Sequence, residues 1–147
     1  MQQSVTSLYE RDFFAWTQEQ ANLMKQKAFE KLDIIHLLEE VESMGAREKS
    51  ELKSRLTVLL MHLLKWKYQP EYQSKSWKST IMEQRFSIQD VIEDNPSLKP
   101  QLDGYLIRAY KHARSLAHQE TGVYLKNFPE ICEWTIAQVL EDDFFPN

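Results

Sequence analysis

Residues 50–77 read SELKSRLTVLLMHLLKWKYQPEYQSKSW, and the first part of this stretch spaces its leucines at helical intervals. At about 100° per residue, these leucines fill one broad stripe of an amphipathic helix. The stripe comprises Leu52, Leu56, Leu59, Leu60, Leu63 and Leu64. A stripe of this width needs other helices to cover it, so residues 50–68 predict the central helix of a helical domain. Pro70 ends that helix, because proline cannot donate a backbone hydrogen bond in a helix interior.

Two further helices are predicted before the central one. Ser7 and Glu10 have the spacing of a capping box, so the first helix begins there and ends near Lys27. Asp33 caps a second, short helix that Gly45 ends. The long helix then starts at about residue 46, and the two could pack as antiparallel neighbours. The apolar face of the short helix comprises Ile34, Leu37, Leu38, Val41 and Met44.

The second half of the chain predicts two more long helices. Residues 76–93 carry inward-facing apolar side chains at helical spacing. Pro96 fits the first position of the next helix, where its missing N–H costs nothing. A sustained apolar stripe then runs over residues 97–120 and ends at Gly122.

A short helix is predicted near the C-terminus, where Thr135 and Gln138 form another capping-box pattern. Together these elements predict an all-α fold. We expect a single-domain helical bundle over residues 1–147, with four to five helices and a short C-terminal helical tail.

Composition agrees with a compact protein. The 147 residues are 42% hydrophobic and 12% aromatic, which argues against disorder. The single cysteine, Cys132, cannot form an internal disulfide, so a reducing compartment is the simpler interpretation. We find neither a signal-peptide pattern at the N-terminus nor the ~20 apolar residues that a membrane span needs. The sequence therefore predicts a cytoplasmic protein without a membrane segment.

Four segments, in this order, resemble the bacterial domain-of-unknown-function family 29, which is abundant in cyanobacteria. They are DFFAWTQEQANLM at 12–24, LLEEVESMG at 37–45, LLMHLLKWKYQPEYQSKSWKSTI at 59–81 and WTIAQVLEDDFFP at 134–146. The resemblance covers nearly the whole chain. It implies an all-α, bundle-like domain, and it implies no activity and no catalytic residues.

The signature residues of that family are found here at twelve positions. They are Asp12, Trp16, Glu39, Glu40, Gly45, His62, Trp66, Gln69, Pro70, Ser76, Trp77 and Trp134. His36 stands where other members often carry a different polar residue, so the resemblance does not make it essential.

One candidate site is a metal centre formed by Asp33, His36 and Glu40, with His62 reaching in from the neighbouring helix. Glu and His at a spacing of three can converge on a metal inside a helical bundle. The chain lacks the paired Glu-x-x-His motifs of dimetal bundles. An acidic face that solvates a short helix, with His62 as a packing residue, explains the same side chains. A metal-dependent enzyme is therefore one alternative, and no cofactor is assigned.

The other candidate is a basic aromatic segment over residues 65–85. Lysines can neutralise phosphates while aromatic rings stack on unpaired bases, which suits single-stranded nucleic acid. Its candidate binding residues are Lys67, Tyr68, Tyr72, Lys75, Lys78 and Arg85. The competing interpretation buries Trp66 and Trp77 as anchors on both sides of Pro70 and leaves the lysines in solvent.

Charge is distributed unevenly over the chain, whose net charge is −4. Residues 47–85 contain nine basic and four acidic side chains, a net of +5, and residues 120–147 contain one and six, a net of −5. These regions could pair within one chain or across a dimer. No active-site constellation is complete, so we expect a non-enzymatic module whose partner is another protein or a second copy, with nucleic acid less favoured.

Overall fold

The structure is a computed structural model that describes residues 7–147, and within that range it contains six α-helices and no strand. The predicted all-α class is confirmed. The helices are α1 (Leu8–Arg11), α2 (Phe13–Lys25), α3 (Ile34–Tyr68), α4 (Lys75–Asp94), α5 (Leu102–Thr121) and α6 (Ile136–Leu140). Short 3₁₀ turns lie between them at Phe29–Lys31, Pro70–Tyr72, Pro96–Gln101 and Leu125–Asn127. Of the helices described, none is both long enough and apolar enough to cross a membrane.

The described chain divides into two compact units. The first extends to Ala46 and contains α1, α2 and the beginning of α3, whereas the second comprises Arg47–Asn147. The core of the first unit is small and is centred on Trp16, which is 3% exposed. The second unit contains the large core, to which α3, α4, α5 and α6 all contribute buried side chains.

The core of the second unit confirms the two predicted apolar stripes. The six leucines of α3 are at most 1% exposed, and they belong to the same buried cluster as the α5 stripe. The α5 members are Leu102, Tyr105, Leu106, Ala109, Tyr110, Ala113 and Ala117. Three of these α5 residues are alanines, so each of them supplies less of the core volume than a leucine of α3 does.

The predicted helix boundary at Gly45 is wrong, because α3 continues without interruption from Ile34 to Tyr68. Gly45 does not adopt a positive φ, and no atom crowds the position that a Cβ would take there. A glycine inside a helix costs only about 0.5–1 kcal/mol, and its neighbours on both sides are good helix formers. Gly122, in contrast, ends α5 in the predicted left-handed conformation, with φ 75°.

Two other boundaries differ from the prediction for identifiable reasons. Asp12 breaks the first helix, because its carboxylate accepts from the backbone N–H of Ala15 and starts α2 afresh. Residues 96–101 are a 3₁₀ turn and α5 begins only at Leu102. Pro100 lies inside that turn, where its missing N–H and its ring oppose α-helical geometry.

The capping box predicted at α6 is confirmed, and, within the described residues, only one of the two bonds predicted at α1 forms. Ser7 accepts from the N–H of Glu10 at the start of α1. At α6 both bonds of the capping box form between Thr135 and Gln138.

We expect Leu60→Ala to lower the free energy of unfolding by about 2–5 kcal/mol, because the substitution leaves a cavity in the core. Leu60 is completely buried. Urea denaturation followed by circular dichroism measures the change. Ile131→Ala, at a side chain that is 81% exposed, is the matched control, and surface substitutions of this kind usually stay within about 0.5 kcal/mol. Equal losses in the two variants would contradict the assigned core.

Candidate functional site

The predicted metal ligands Asp33 and His36 lie side by side at the start of α3. Asp33 Oδ1 accepts from the backbone N–H of His36 at 3.3 Å, which is the predicted N-cap bond. Asp33 Oδ2 accepts from the indole Nε1 of Trp16 at 3.0 Å and bonds His36 Nδ1 at 2.6 Å. The backbone N–H of Asp33 donates to the buried amide of Gln20 at 2.8 Å. Asp33 therefore connects α2 to the beginning of α3.

Glu40 is engaged one helical turn further along α3. Its Oε1 accepts from the hydroxyl of Tyr9 at 2.5 Å, and the ring of Tyr9 stacks on His36 with centroids 4.1 Å apart. The hydrogen bond to Glu40 is the main reason that the pKa of Tyr9 rises to about 12. We name the five side chains Tyr9, Trp16, Asp33, His36 and Glu40 the polar cluster.

Through the polar cluster, the acidic residues at the start of α3 pack against α1 and α2. Both carboxylates already accept hydrogen bonds from aromatic side chains of α1 and α2. His62, the fourth predicted ligand, belongs to the second unit, where its Nδ1 donates to the carbonyl of Val58 at 2.8 Å. Across residues 7–147, no three or more His, Cys, Asp or Glu side chains are grouped so that they could hold a metal ion. The sequence does not identify Tyr9 and Trp16 as partners of the carboxylates.

The two histidines have opposite electrostatic environments. The hydrogen bond that His36 donates to Asp33 is the largest influence that raises the pKa of His36 above its usual 6.5. The same bond is the main cause that lowers the pKa of Asp33 below 3.8. Burial, in contrast, lowers the pKa of His62 below 6.5. The stabilisation from the Asp33–His36 pair is therefore complete between about pH 4 and 6.5, and it is lost as His36 deprotonates at higher pH or as Asp33 protonates at lower pH.

An NMR titration of the imidazole signals tests this assignment. We expect the pKa of His36 to lie above 6.5 and that of His62 to lie below it. Asp33→Asn should bring the pKa of His36 down, because the amide cannot stabilise the imidazolium as a carboxylate does. The pKa of His62 should not move in that variant. An unchanged His36 pKa in Asp33→Asn would show that the pair does not form.

The structure distributes the predicted nucleic-acid residues over different environments. Lys67 pairs with Glu133 at 3.5 Å, and Tyr68 packs edge-on against Phe128. Tyr72 is 61% exposed, and Lys75 and Lys78 are also exposed. Nucleic-acid binding by these three exposed residues stays a prediction.

Arg85 is wrong as a member of that predicted surface, because its side chain is completely buried. Its guanidinium donates to three backbone carbonyls of the C-terminal tail, at 2.8 Å to Val139, 3.2 Å to Asp142 and 2.6 Å to Phe144. The ring of Phe145 lies 5.3 Å from the guanidinium carbon. Burial lowers the pKa of Arg85, although the nearby acids of the tail oppose that shift.

The predicted charge complementarity is therefore realised within the chain, but partly through the backbone. Lys65 pairs with Glu120 at 3.1 Å, whereas Arg85 binds carbonyl oxygens of the acidic tail and no carboxylate of the described residues. Sequence patterns identify charges but not carbonyl positions. The spacing of Arg85, four residues after Ile81 and three before Ile88, places it on the buried face of α4 and is the signal that could have identified it.

We expect Arg85→Lys to release the C-terminal tail, because a single ammonium cannot replace a planar fork bonded to three carbonyls. Chymotrypsin cleavage after Phe144, followed by mass spectrometry, should become faster than in the unsubstituted protein; the bond after Phe145 leads to Pro146 and is not a chymotrypsin site. Arg108→Lys changes an exposed arginine of α5 and is the control. Tail cleavage at the same rate in all three proteins would contradict the role given to Arg85.

A third feature is the apolar face of α3 in the first unit, which the sequence predicted but the structure leaves uncovered. We name this face the apolar stripe and define it as Ile34, Leu38, Val41 and Met44, which are 54–60% exposed. Ile35 beside it is 73% exposed. Every residue at positions 41–46 is exposed, so all sides of the helix are in contact with solvent there.

Comparison with known proteins confirms the resemblance to domain-of-unknown-function family 29. The family model described as Domain of unknown function DUF29 matches residues 8–145, a range that includes all six helices. Neither a curated protein nor a solved structure matches the chain.

Proposed function

Because the chain belongs to the DUF29 family, whose description carries no activity, we propose a function from its exposed surface. The protein is a non-enzymatic interaction module, and its partner is a second copy of the same chain. The observation that carries this proposal is the apolar stripe of α3, whose four side chains are each more than half exposed.

Exposed apolar side chains are concentrated in the first unit. Nine of the sixteen exposed large hydrophobic residues belong to it, although it holds only 40 of the 141 described residues. Scattered exposed hydrophobic residues need no explanation, whereas a contiguous set indicates an interaction site. Besides the apolar stripe and Ile35, the set comprises Phe13, Phe14, Met24 and Phe29.

Burial of the apolar stripe in an interface would release a large free energy. Complete burial of a Leu, Ile, Met or Phe side chain is worth about 1.5–3 kcal/mol, and the stripe residues keep more than half of their surface in water. Covering these four side chains would therefore stabilise each copy by several kcal/mol. A domain whose net stability is about 5–15 kcal/mol gains substantially if a partner covers them.

A second copy fits the stripe for geometric reasons. Ile34, Leu38, Val41 and Met44 are spaced by four, three and three residues, which is the pattern of a seam between two packed helices. A two-fold dimer needs only one self-complementary patch. The apolar stripe would supply part of the ~800 Å² per partner of a standard interface.

The proposal includes a reducing, cytoplasmic location, which the single free Cys132 supports. Secreted proteins of this size commonly rely on disulfides, and this chain has no second cysteine with which to form one.

Sedimentation equilibrium tests self-association. We expect a reversible dimer at micromolar concentration, and we expect Val41→Glu to weaken it at least 100-fold because a charge would be buried without a partner. Val41 is 58% exposed in the single chain, so the substitution should leave the circular dichroism spectrum unchanged. Phe86→Glu, at a 73% exposed side chain of α4, is the matched control and should dimerise normally. A protein that stays monomeric at about 100 µM would contradict the proposal. Equal association of Val41→Glu and the Phe86→Glu control would contradict it as well.

A further inference from the structure

A cleft in the second unit lies between α5 and the irregular segment that follows Phe128. Its volume is about 530 Å³, which falls inside the ~300–1,000 Å³ range of small-molecule sites. The apolar stripe belongs to the other unit, and none of its residues lines the cleft. The lining residues are Leu106, Ile107, Tyr110, Lys111, Arg114, Glu130, Ile131, Cys132 and Trp134.

The walls of the cleft are mainly apolar. Leu106 is buried, Trp134 is half-buried, and Ile107 and Ile131 are 72% and 81% exposed. The two isoleucines come from different elements, one from α5 and the other from the segment after it. An apolar molecule that entered the cleft would remove both from water, which is the main source of affinity in such sites.

The charged residues of the cleft are two cations and one anion. Neither Lys111 nor Arg114 forms an ion pair with any carboxylate of residues 7–147, and Glu130 is equally unpaired there. Arg114 is held in place, because its Nε donates to the carbonyl of Phe128 at 3.2 Å and its Nη2 to that of Leu125 at 2.9 Å. The lining therefore has a net charge of +1 and a guanidinium that is already oriented.

Two other polar groups of the cleft are occupied within the chain. The hydroxyl of Tyr110 donates to the carbonyl of Pro129 at 2.5 Å. The thiol of Cys132 donates to the carbonyl of Trp134 at 3.5 Å, and burial raises its pKa. Lys111 and Arg114 are the groups of the lining whose positive charge can bind an anionic end of a ligand.

We propose that this cleft binds a small amphipathic carboxylate, whose apolar body lies against Ile107, Ile131 and Trp134 and whose carboxylate is bound by Lys111 and Arg114. A planar guanidinium and an ammonium are both suited to a carboxylate. Glu130 disfavours ligands with several negative charges, so a monocarboxylate is preferred over a di- or triphosphate.

The single cysteine gives a readout at the site itself. Cys132 lines the cleft and is the only cysteine of the chain, so its alkylation by neutral iodoacetamide reports on occupancy. We expect decanoate to slow the alkylation in a saturable manner. Decan-1-ol has the same chain without the charge, and its apparent dissociation constant should be about tenfold higher, as for loss of a charge-assisted bond. Calorimetry with decanoate provides an independent measurement.

Two lysine variants distinguish a specific site from general attraction of anions. Lys111→Gln removes a charge in the cleft and should weaken decanoate about tenfold. Lys126→Gln removes the charge of an exposed lysine that does not line the cleft, and it should change nothing. Ile131→Glu, a substitution at an exposed position, should abolish protection by placing a negative charge against the apolar body.

Three results would overturn the proposal. The first is the absence of both protection and binding heat with decanoate at 1 mM, a concentration of order 1,000-fold above a micromolar dissociation constant. The second is equal protection by decan-1-ol, because the carboxylate would then contribute nothing. The third is equal weakening by Lys111→Gln and Lys126→Gln, which would indicate attraction to overall charge.

Discussion

Burial of the α3 leucines is the interaction on which the second unit depends. Six leucines on one helix are at most 1% exposed, and every other long helix of that unit contributes side chains to the same core. Each such leucine is worth about 1.5–3 kcal/mol when completely buried. The α5 helix contributes three alanines to this core together with four larger side chains. Even the tail is arranged around this core, since Arg85 binds tail carbonyls while Phe128 and Val139 are buried within the cluster.

The predictions from sequence succeeded where one local rule acted alone. The leucine stripe, the left-handed Gly122 and the capping box at Thr135 each follow from the identity of a few neighbouring residues. The prediction that a helix ends at Gly45 is wrong because two effects compete there. A glycine can end a helix, but the helix formers around it continue the hydrogen bonding at a cost of only about 1 kcal/mol. Pro100 was overlooked, and it delays α5 by removing one donor.

The candidate sites were predictable in part, and the limit has a physical cause. Residue types and spacing placed Asp33, His36 and Glu40 on one face of a helix, as the structure has them. Spacing does not reveal which aromatic side chain will donate to each carboxylate, since Tyr9 and Trp16 come from other helices. Arg85 shows the same limit more clearly. Its partners are carbonyls more than fifty residues away, and a carbonyl carries no signal in the sequence.

The uncovered section of α3 around Gly45 also has a kinetic meaning. All side chains of residues 41–46 are exposed, so these backbone amides are protected from hydrogen exchange mainly by the helix itself. Local opening there needs little more than the free energy of a short helical segment, which a glycine weakens further. A partner that binds this face binds only molecules in which the helix is formed. The fraction of locally open molecules therefore lowers the observed affinity. Gly45 thereby links the local opening equilibrium of one helix to the strength of any complex formed on it.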